Sequence, residues 1–168
     1  MTALHLCATY GLEDVCYYLL TQTYDSLLGL EDVSQDEKVK RINEFRNLLV
    51  SAVDEDGRNP VHLACLYGHG DVLRALLGVD TSESEEPMIG CSKALCSEDR
   101  AGLTPLHLAC LNGHYRCVEI IVQKLLEACD MTPLMAADRD GRLPLHALCQ
   151  SSRITSMKKE NRKRDRMR

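Results

Sequence analysis

Histidine and cysteine are the residues in this sequence whose side chains are best suited to catalysis or metal binding. The 168-residue chain has six histidines and nine cysteines. Cys110, His114 and Cys117 stand at i, i+4 and i+7, a spacing that would place three metal ligands along one continuous helix. Gly113 lies between them and favours the end of a helix. We therefore expect no shared face and no metal site here.

Other catalytic or cofactor-binding patterns are missing from the sequence. Cys91 and Cys96 have no partner pair at zinc-finger spacing. The chain contains no G-x-x-x-x-G-K-[ST] phosphate loop, no G-x-S-x-G nucleophile motif and no H-E-x-x-H metal motif. Its carboxylates follow no spacing that predicts a facing acid–base pair. We expect a non-enzymatic protein with no cofactor, no metal and no small-molecule substrate.

The positions of the cysteines indicate the redox state of the cellular compartment in which the protein works. Three of them stand in connecting segments and are expected to be exposed: Cys91, Cys96 and Cys129. The other six stand at apolar positions of a helical pattern and are expected to be core thiols: Cys7, Cys16, Cys65, Cys110, Cys117 and Cys149. With no N-terminal signal segment and no apolar run long enough to span a bilayer, this usage favours a reducing compartment. We expect the cytoplasm, with the nucleus as a second location.

The stretch Gly102–Val122 shows the pattern that organises the chain. Thr104 can cap the start of a helix with its hydroxyl, and Pro105 suits the first helical position because no N–H is needed there. Gly113 favours the end of this short helix. The helix that follows has a wide apolar stripe, made of Cys117, Val118, Ile121, Val122 and Leu125. Two short helices cannot bury such a stripe alone, so the pattern predicts stacking against neighbouring copies.

Three further stretches repeat this pattern: Thr2–Leu20, Asn59–Leu77 and Leu143–Cys149. A D-x-x-G turn precedes three of the four copies, at Asp54/Gly57, Asp99/Gly102 and Asp138/Gly141. Together, D-x-x-G-x-T-P-L-H-x-A and the G-H element that follows it resemble the ankyrin repeat, a turn followed by two antiparallel helices. The resemblance implies an all-α solenoid of stacked helix pairs joined by short turns.

The copies are farther apart than the roughly 33 residues of an ankyrin repeat, because the four L-H histidines are separated by 57, 45 and 39 residues. Insertions must therefore separate them. We expect one solenoid domain over 1–157 and a basic tail over 158–168. The repeats lie near 1–24, 54–78, 99–128 and 138–157, and the insertions occupy 25–53, 79–98 and 129–137.

The first insertion predicts an extra helix over residues 35–49. Ser34 and Glu37 form an S-x-x-E capping signal. The apolar residues that follow have a helical period: Val39, Ile42, Phe45 and Leu49. We expect this helix on the outer side of the stack, where it either covers apolar surface or binds a partner.

The second insertion predicts a mobile loop. Residues Val79–Cys96 begin acidic and Ser-rich and show no apolar period. Ser82 and Ser84 stand among glutamates, so modification by an acidophilic kinase is an alternative to a plain solvated loop.

The third insertion contains a second T-P-L word at Thr132–Met135, but Pro144 follows too closely for a helix pair and a turn. We therefore begin repeat four at Leu143. Leu143 replaces the capping threonine, so this helix should lack about 1 kcal/mol of cap energy. Residues 153–165 form either a polar-faced capping helix or a disordered arm.

The resemblance accounts for the positions of all six histidines. In ankyrin repeats the L-H histidine bonds the turn backbone, which implies this role for His5, His62, His107 and His146. His69 and His114 stand at the G-H position that opens the second helix. We therefore expect none of them to act as a catalytic base.

The resemblance also implies that the turn tips and first helices bind another protein. The contact positions of the family fall on Tyr10, Glu55, Arg58, Leu66, Tyr67, Arg100, Leu103, Leu111, Asn112, Arg139 and Arg142. Within this set we expect an apolar strip, made of Tyr10, Tyr67 and Leu111, and a positive line, made of Arg58, Arg100, Arg139 and Arg142. The hypothesis is a monomeric adaptor or scaffold with no membrane span.

Charge supports a second hypothesis. The chain has 20 basic and 25 acidic residues, and the tail 158–168 holds seven and two of them, so residues 1–157 have a net charge of 13 − 23 = −10. The basic tail could be a nuclear-import signal or bind nucleic acid. Nucleic acid is less favoured because no aromatic residues interleave the tail to stack on bases. A third hypothesis is a regulatory fragment of a longer enzyme or signalling protein, because no D-x-x-G turn precedes Thr2.

Overall fold

The structure is a computed structural model that describes residues 1–28, 35–78 and 91–149. All regular structure in these ranges is helical. The helices are α1 Ala3–Tyr10, α2 Glu13–Leu28, α3 Gln35–Ser51, α4 Pro60–Tyr67, α5 Gly70–Leu77, α6 Cys91–Cys96, α7 Pro105–Asn112, α8 Tyr115–Glu127, α9 Thr132–Met135 and α10 over 144–149. The all-α prediction is confirmed. No helix in these ranges is long and apolar enough to cross a membrane.

The short helices α4 and α7 begin and end where local chemistry requires. At the start of α4 the Asn59 side-chain oxygen accepts the His62 backbone N–H at 2.9 Å, and Pro60 occupies the first turn. Thr104 caps α7 through the corresponding bond, at 3.4 Å. Each helix ends at a glycine with a left-handed backbone, Gly68 at φ 78° and Gly113 at φ 70°, a conformation that a side chain would disfavour.

The repeats build two packed layers. The first helices α1, α4 and α7 lie side by side, and so do the second helices α2, α5 and α8. The core lies between these layers and includes Leu73, Leu106 and Ile121, each fully buried. Burying a leucine or isoleucine side chain contributes about 2 kcal/mol. Stacking of the repeats therefore buries the wide apolar stripes, which two short helices could not bury alone.

Helices from the insertions add a third group. α3, α6 and α9 each precede a D-x-x-G turn; α3 packs against α2, α4 and α6, and α6 packs against α7 and α9. The predicted extra helix in the first insertion is confirmed, with bounds Gln35–Ser51. The prediction of a loop through Val79–Cys96 is wrong for Cys91–Cys96. This segment forms α6 because Ala94 and Leu95 bury their side chains against the stack.

The cysteines follow the prediction with one clear exception. Five of the six expected core thiols are buried: Cys7, Cys16, Cys65, Cys110 and Cys117. Burial raises the pKa of Cys16 to about 12 and that of Cys110 to about 11, so both remain protonated. Cys149 is exposed, so its prediction as a core thiol is wrong. Cys96, expected to be exposed, is half-buried, whereas Cys129 is exposed as expected.

Several predictions lie outside the described residues. They concern Ser34, Ser82, Ser84, the segment 153–165 and the tail 158–168.

Near the end of the described chain, α9 is a single turn, and Asp138–Gly141 forms the tight turn that precedes α10.

Candidate functional site

The D-x-x-G turns form a row of rigid tips. In each turn one aspartate oxygen accepts two backbone N–H groups, for example from Ala101 at 2.8 Å and Leu103 at 3.0 Å for Asp99. Asp54 and Asp138 make the same pair of bonds within their own turns. The glycine of each turn has a positive φ between 74° and 77°. Since these bonds lock each turn internally, the side chains at the tips project from a fixed backbone.

The L-H histidines tie each first helix to the next turn. In each, Nδ1 accepts the backbone N–H of the capping residue. The Nε2–H then donates to a carbonyl of the next turn: from His5 to Arg58 at 3.0 Å, from His62 to Leu103 at 3.1 Å, and from His107 to Arg142 at 2.9 Å. These three side chains are fully buried. The structural role that the resemblance implied is thus observed at all three positions.

Burial changes the protonation of His62. Desolvation lowers its pKa from 6.5 to about 4, and bonds to neighbouring backbone and the nearby Asp99 charge only partly offset that effect. The imidazole is therefore neutral at physiological pH, which suits a ring that accepts at Nδ1 and donates at Nε2.

The G-H histidines connect each repeat to the one before it. His69 Nε2 lies 3.1 Å from the Thr9 carbonyl, and His114 Nε2 lies 3.2 Å from the Leu66 carbonyl. Within the described residues, no group of three or more histidine, cysteine or acidic side chains is arranged to hold a metal ion. His114 is engaged with Leu66, on the preceding repeat, and Gly113 ends α7 before it.

The predicted tip residues divide into two groups. Arg58 is half-buried, with its guanidinium 3.3 Å from Asp99 and 3.5 Å from Asp56. The Leu103 side chain packs against the core, and its backbone carbonyl accepts a hydrogen bond from His62 Nε2. The other tip residues are exposed: Glu55, Arg100, Arg139 and Arg142, the last with Asp140 at 3.4 Å. The structure therefore places Arg58 and Leu103 mainly in contacts between repeats.

The predicted groove residues lie at equivalent points of neighbouring first helices. Tyr10 ends α1 and is 70% exposed, and Tyr67 ends α4 and is 50% exposed. Asn112 takes the corresponding place on α7, where its side-chain amide donates to the Leu108 carbonyl at 2.8 Å. Leu66 and Leu111 are half-buried and pack against the core from this side. The first-helix layer thus presents aromatic side chains above a partly apolar base.

Two features of this surface had no signal in the sequence. Asp99 is buried, and its second carboxylate oxygen receives the Arg58 guanidinium from the preceding turn. The Tyr67 ring stacks near the His69 ring, with centroids 6.4 Å apart. Both contacts depend on how turns and helices meet in three dimensions. Position-by-position alignment of the copies could not reveal them.

Comparison with known proteins identifies the repeats. A family model described as ankyrin repeats (3 copies) matches residues 1–85 and again residues 86–159. No curated protein matches the chain. The matched ranges cover nearly the whole sequence and contain every turn and helix pair described above. The chain therefore belongs to the ankyrin repeat family.

Proposed function

We propose that this protein is a non-catalytic adaptor or scaffold that binds a segment of a partner protein along its first-helix layer and turn tips. Ankyrin repeats are generally protein–protein interaction modules, and the family is typically non-catalytic. The observation that carries the proposal is the pair of exposed tyrosines, Tyr10 and Tyr67, at equivalent positions of adjacent helices. Tyrosine is enriched in binding sites because it combines large contact area with a hydrogen-bonding group.

The rigidity of the surface supports this proposal. The L-H histidines and the aspartates of the D-x-x-G turns form hydrogen bonds with backbone groups beneath the tips. No buried side-chain polar atom in the described ranges lacks a hydrogen-bond partner. A surface that is already ordered loses little conformational entropy on binding. Such a surface favours a partner that adapts to it.

The exposed tip arginines give the proposed site its polar part. Arg100 and Arg139 occupy the same position in successive turns, and neither forms an ion pair within the described ranges. Arg139 extends over Gly102 of the preceding turn, where an added Cβ would lie 2.7 Å from the arginine Cγ. We assign partner contacts to these two residues, together with Glu55, Arg142 and Asn112. Arg58, Leu66 and Leu103 support the site from beneath.

The cysteines support a location in the cytoplasm, with the nucleus as a second location. Five thiols fill small buried positions of the core, where they act as apolar groups. A protein built in this way suits a reducing compartment.

Affinity capture from cell lysate with matched variants tests the proposal. The test variant is Tyr67→Ala/Leu111→Ala. The control is Tyr17→Ala/Tyr18→Ala, because these tyrosines are exposed on α2, a second helix outside the proposed groove. Circular dichroism first establishes that both variants keep the helical content of the full chain. We expect a protein captured by the full chain and by the control to be lost from the test variant. Retention by the folded test variant would contradict the groove assignment.

A further inference from the structure

The second residue of the D-x-x-G turn changes its charge along the row of tips. It is Glu55 in the first turn, Arg100 in the second and Arg139 in the third, and all three side chains are exposed. The two arginines form no ion pair with another described residue. The aspartates before them, Asp99 and Asp138, accept backbone N–H groups of their own turns instead. Two positive charges therefore face solvent at equivalent points of neighbouring turns.

The third residue of each turn adds no uncompensated charge. The Asp56 carboxylate lies 3.5 Å from the Arg58 guanidinium, and the Asp140 carboxylate lies 3.4 Å from that of Arg142. The equivalent residue of the second turn is Ala101. Among the described residues, the charges without a partner at the tips are therefore negative in the first turn and positive in the second and third.

The stem of each unpaired arginine lies over the glycine of the preceding turn. A Cβ added to Gly57 would lie 3.5 Å from Arg100 Cγ and 3.2 Å from the Arg100 backbone nitrogen. For Gly102 and Arg139 the corresponding distances are 2.7 Å and 3.2 Å. Both arginines thus have the same register on the turn before them, so their separation follows the step between repeats. Helices packed side by side have axes about 8–10 Å apart, which sets the spacing of the two positions.

This spacing matches one turn of a polyproline II helix. Such a helix has three residues per turn and rises about 3.1 Å per residue, so residues i and i+3 share a face and lie about 9 Å apart. In a β-strand, by contrast, residues i and i+3 point to opposite faces. A segment in the polyproline II conformation can therefore present two carboxylates to Arg100 and Arg139 together. Arginine suits this contact because its planar guanidinium binds a carboxylate through two parallel hydrogen bonds.

We propose that the partner segment is acidic and extended, with aspartate or glutamate at positions i and i+3 that bind Arg139 and Arg100 in the polyproline II conformation. The inference rests on the proposed function, because it names the chemistry of the segment that lies along the turn tips. A basic residue one turn beyond the contact with Arg100 would face Glu55. Net charge alone would not select such a segment, because residues 1–157 have a net charge of 13 − 23 = −10. Its recognition depends on the two arginines themselves.

Selection of random peptides displayed on phage, with the full chain as target, tests the inference. We expect the enriched peptides to have acidic residues three positions apart. Their affinity should fall on the order of tenfold with Arg100→Gln/Arg139→Gln, because two charge-assisted contacts are lost while the glutamine stems still cover the glycines. Lys40→Gln/Arg116→Gln is the matched control. It removes the same charge from exposed residues of α3 and α8 and should leave the affinity unchanged.

Charge reversal makes the test reciprocal. The Arg100→Glu/Arg139→Glu variant should prefer a selected peptide whose two acidic residues are replaced by lysine, whereas the unaltered chain should prefer the original peptide. Circular dichroism first establishes that each variant keeps the helical content of the full chain. The same preference in both proteins would overturn the inference, because the peptide would then not contact the arginines.

The Tyr67→Ala/Leu111→Ala variant separates failure of this inference from failure of the proposed function. Peptides that need Tyr67 and Leu111 but lack the acidic pattern, or that tolerate loss of both arginines, would overturn the inference and leave the proposed function intact. Peptides that need the arginines but not the groove pair would support acidic recognition and contradict the groove assignment. A library without any binder would overturn the inference, and capture from lysate would then decide the proposed function separately.

Discussion

Repeats two and four both begin their first helices with a proline two residues before a histidine, Pro60/His62 and Pro144/His146, yet the two histidines have different surroundings. His62 is fully buried and bridges from α4 to the Leu103 carbonyl of the next turn. His146 accepts the Leu143 backbone N–H at 3.0 Å, as each L-H histidine does at its own cap, but its side chain is exposed. The motif alone therefore specifies the local bond, and the neighbouring repeat supplies the burial.

The capping residues show the same contrast. Asn59 is buried, caps α4, and also donates to the Ala94 carbonyl at 3.1 Å and the Ser97 hydroxyl at 2.8 Å. Leu143 has no side-chain acceptor and stands half-buried at the start of α10. Stability should therefore be concentrated in the internal repeats. Substitutions in an internal repeat, matched with substitutions in repeat four, test this gradient.

The largest effect is expected for His62→Ala. The substitution leaves a cavity and removes the partners of the Leu103 carbonyl and the Asn59 N–H, so it should lower the free energy of unfolding by about 3 kcal/mol. His146→Ala is the matched control and should change it by about 0.5 kcal/mol or less. Urea unfolding followed by circular dichroism measures both. Equal losses would remove the contrast between the two repeats.

Acid should destabilise the protein through the same histidine. The pKa of His62 is about 4 in the folded protein, below its usual 6.5, so the unfolded chain binds the proton more readily. Its contribution is complete above pH 6.5 and is lost as the pH falls from 6.5 towards 4. A pKa difference of this size corresponds to about 3 kcal/mol. NMR titration of the ring and urea unfolding against pH check this expectation. A ring that titrates near 6.5 in the folded protein would contradict it.

Replacing glycine by alanine should destabilise the protein more at an internal junction between repeats than in the turn before α10. Gly68 and Gly141 have similar positive φ values of 78° and 74°, so alanine adds comparable backbone strain of about 1 kcal/mol to each. At Gly68 the new Cβ would also lie 2.5 Å from His114 Nδ1, whereas at Gly141 nothing lies within 4 Å. We expect Gly68→Ala to destabilise by about 2 kcal/mol more than Gly141→Ala. Thermal unfolding of both variants measures the difference, and equal shifts in Tm would show that the His114 ring moves aside freely.

The smallest effect is expected for Leu143→Thr. A threonine at position 143 would supply α10 with a capping hydroxyl like the one that Thr104 supplies to α7. The substitution should stabilise the protein by up to about 1 kcal/mol. The matched change in the opposite direction, Thr104→Val, should destabilise the protein by about 1 kcal/mol or more, because Thr104 is buried. A rise in the urea midpoint for the first and a fall for the second are the expected results. No gain from Leu143→Thr would mean that the cap is not what weakens the last repeat.

Much of the fold could be predicted from the sequence because its repeats use local signals. Thr104, Pro105 and Gly113 act within a few residues, through a cap, a fixed φ and a left-handed backbone. The spacing of Val39 and the apolar residues after it likewise revealed α3, although the helix continues to Ser51.

The remaining features depend on contacts between distant segments. α6 has only six residues and no measurable period, and it forms because Ala94 and Leu95 meet the stack. Cys149 matched a core position in the alignment of the copies, but burial depends on packing against other segments, and this side chain is exposed. At the proposed site, Tyr67 was assigned to the groove by its position in the repeat, whereas the ion pair between Arg58 and Asp99 joins two turns 41 residues apart.

Site-specific photo-crosslinking tests the proposed partner surface most directly. p-Benzoylphenylalanine replaces Tyr67 in one variant and Tyr18 in another, because both side chains are exposed but lie on a first and a second helix, respectively. If the first-helix layer binds a partner, irradiation in cells should attach a discrete protein at position 67 and not at position 18. The Leu111→Ala substitution should reduce that crosslink. Crosslinks of the same protein from both positions, or from position 18 alone, would contradict the account.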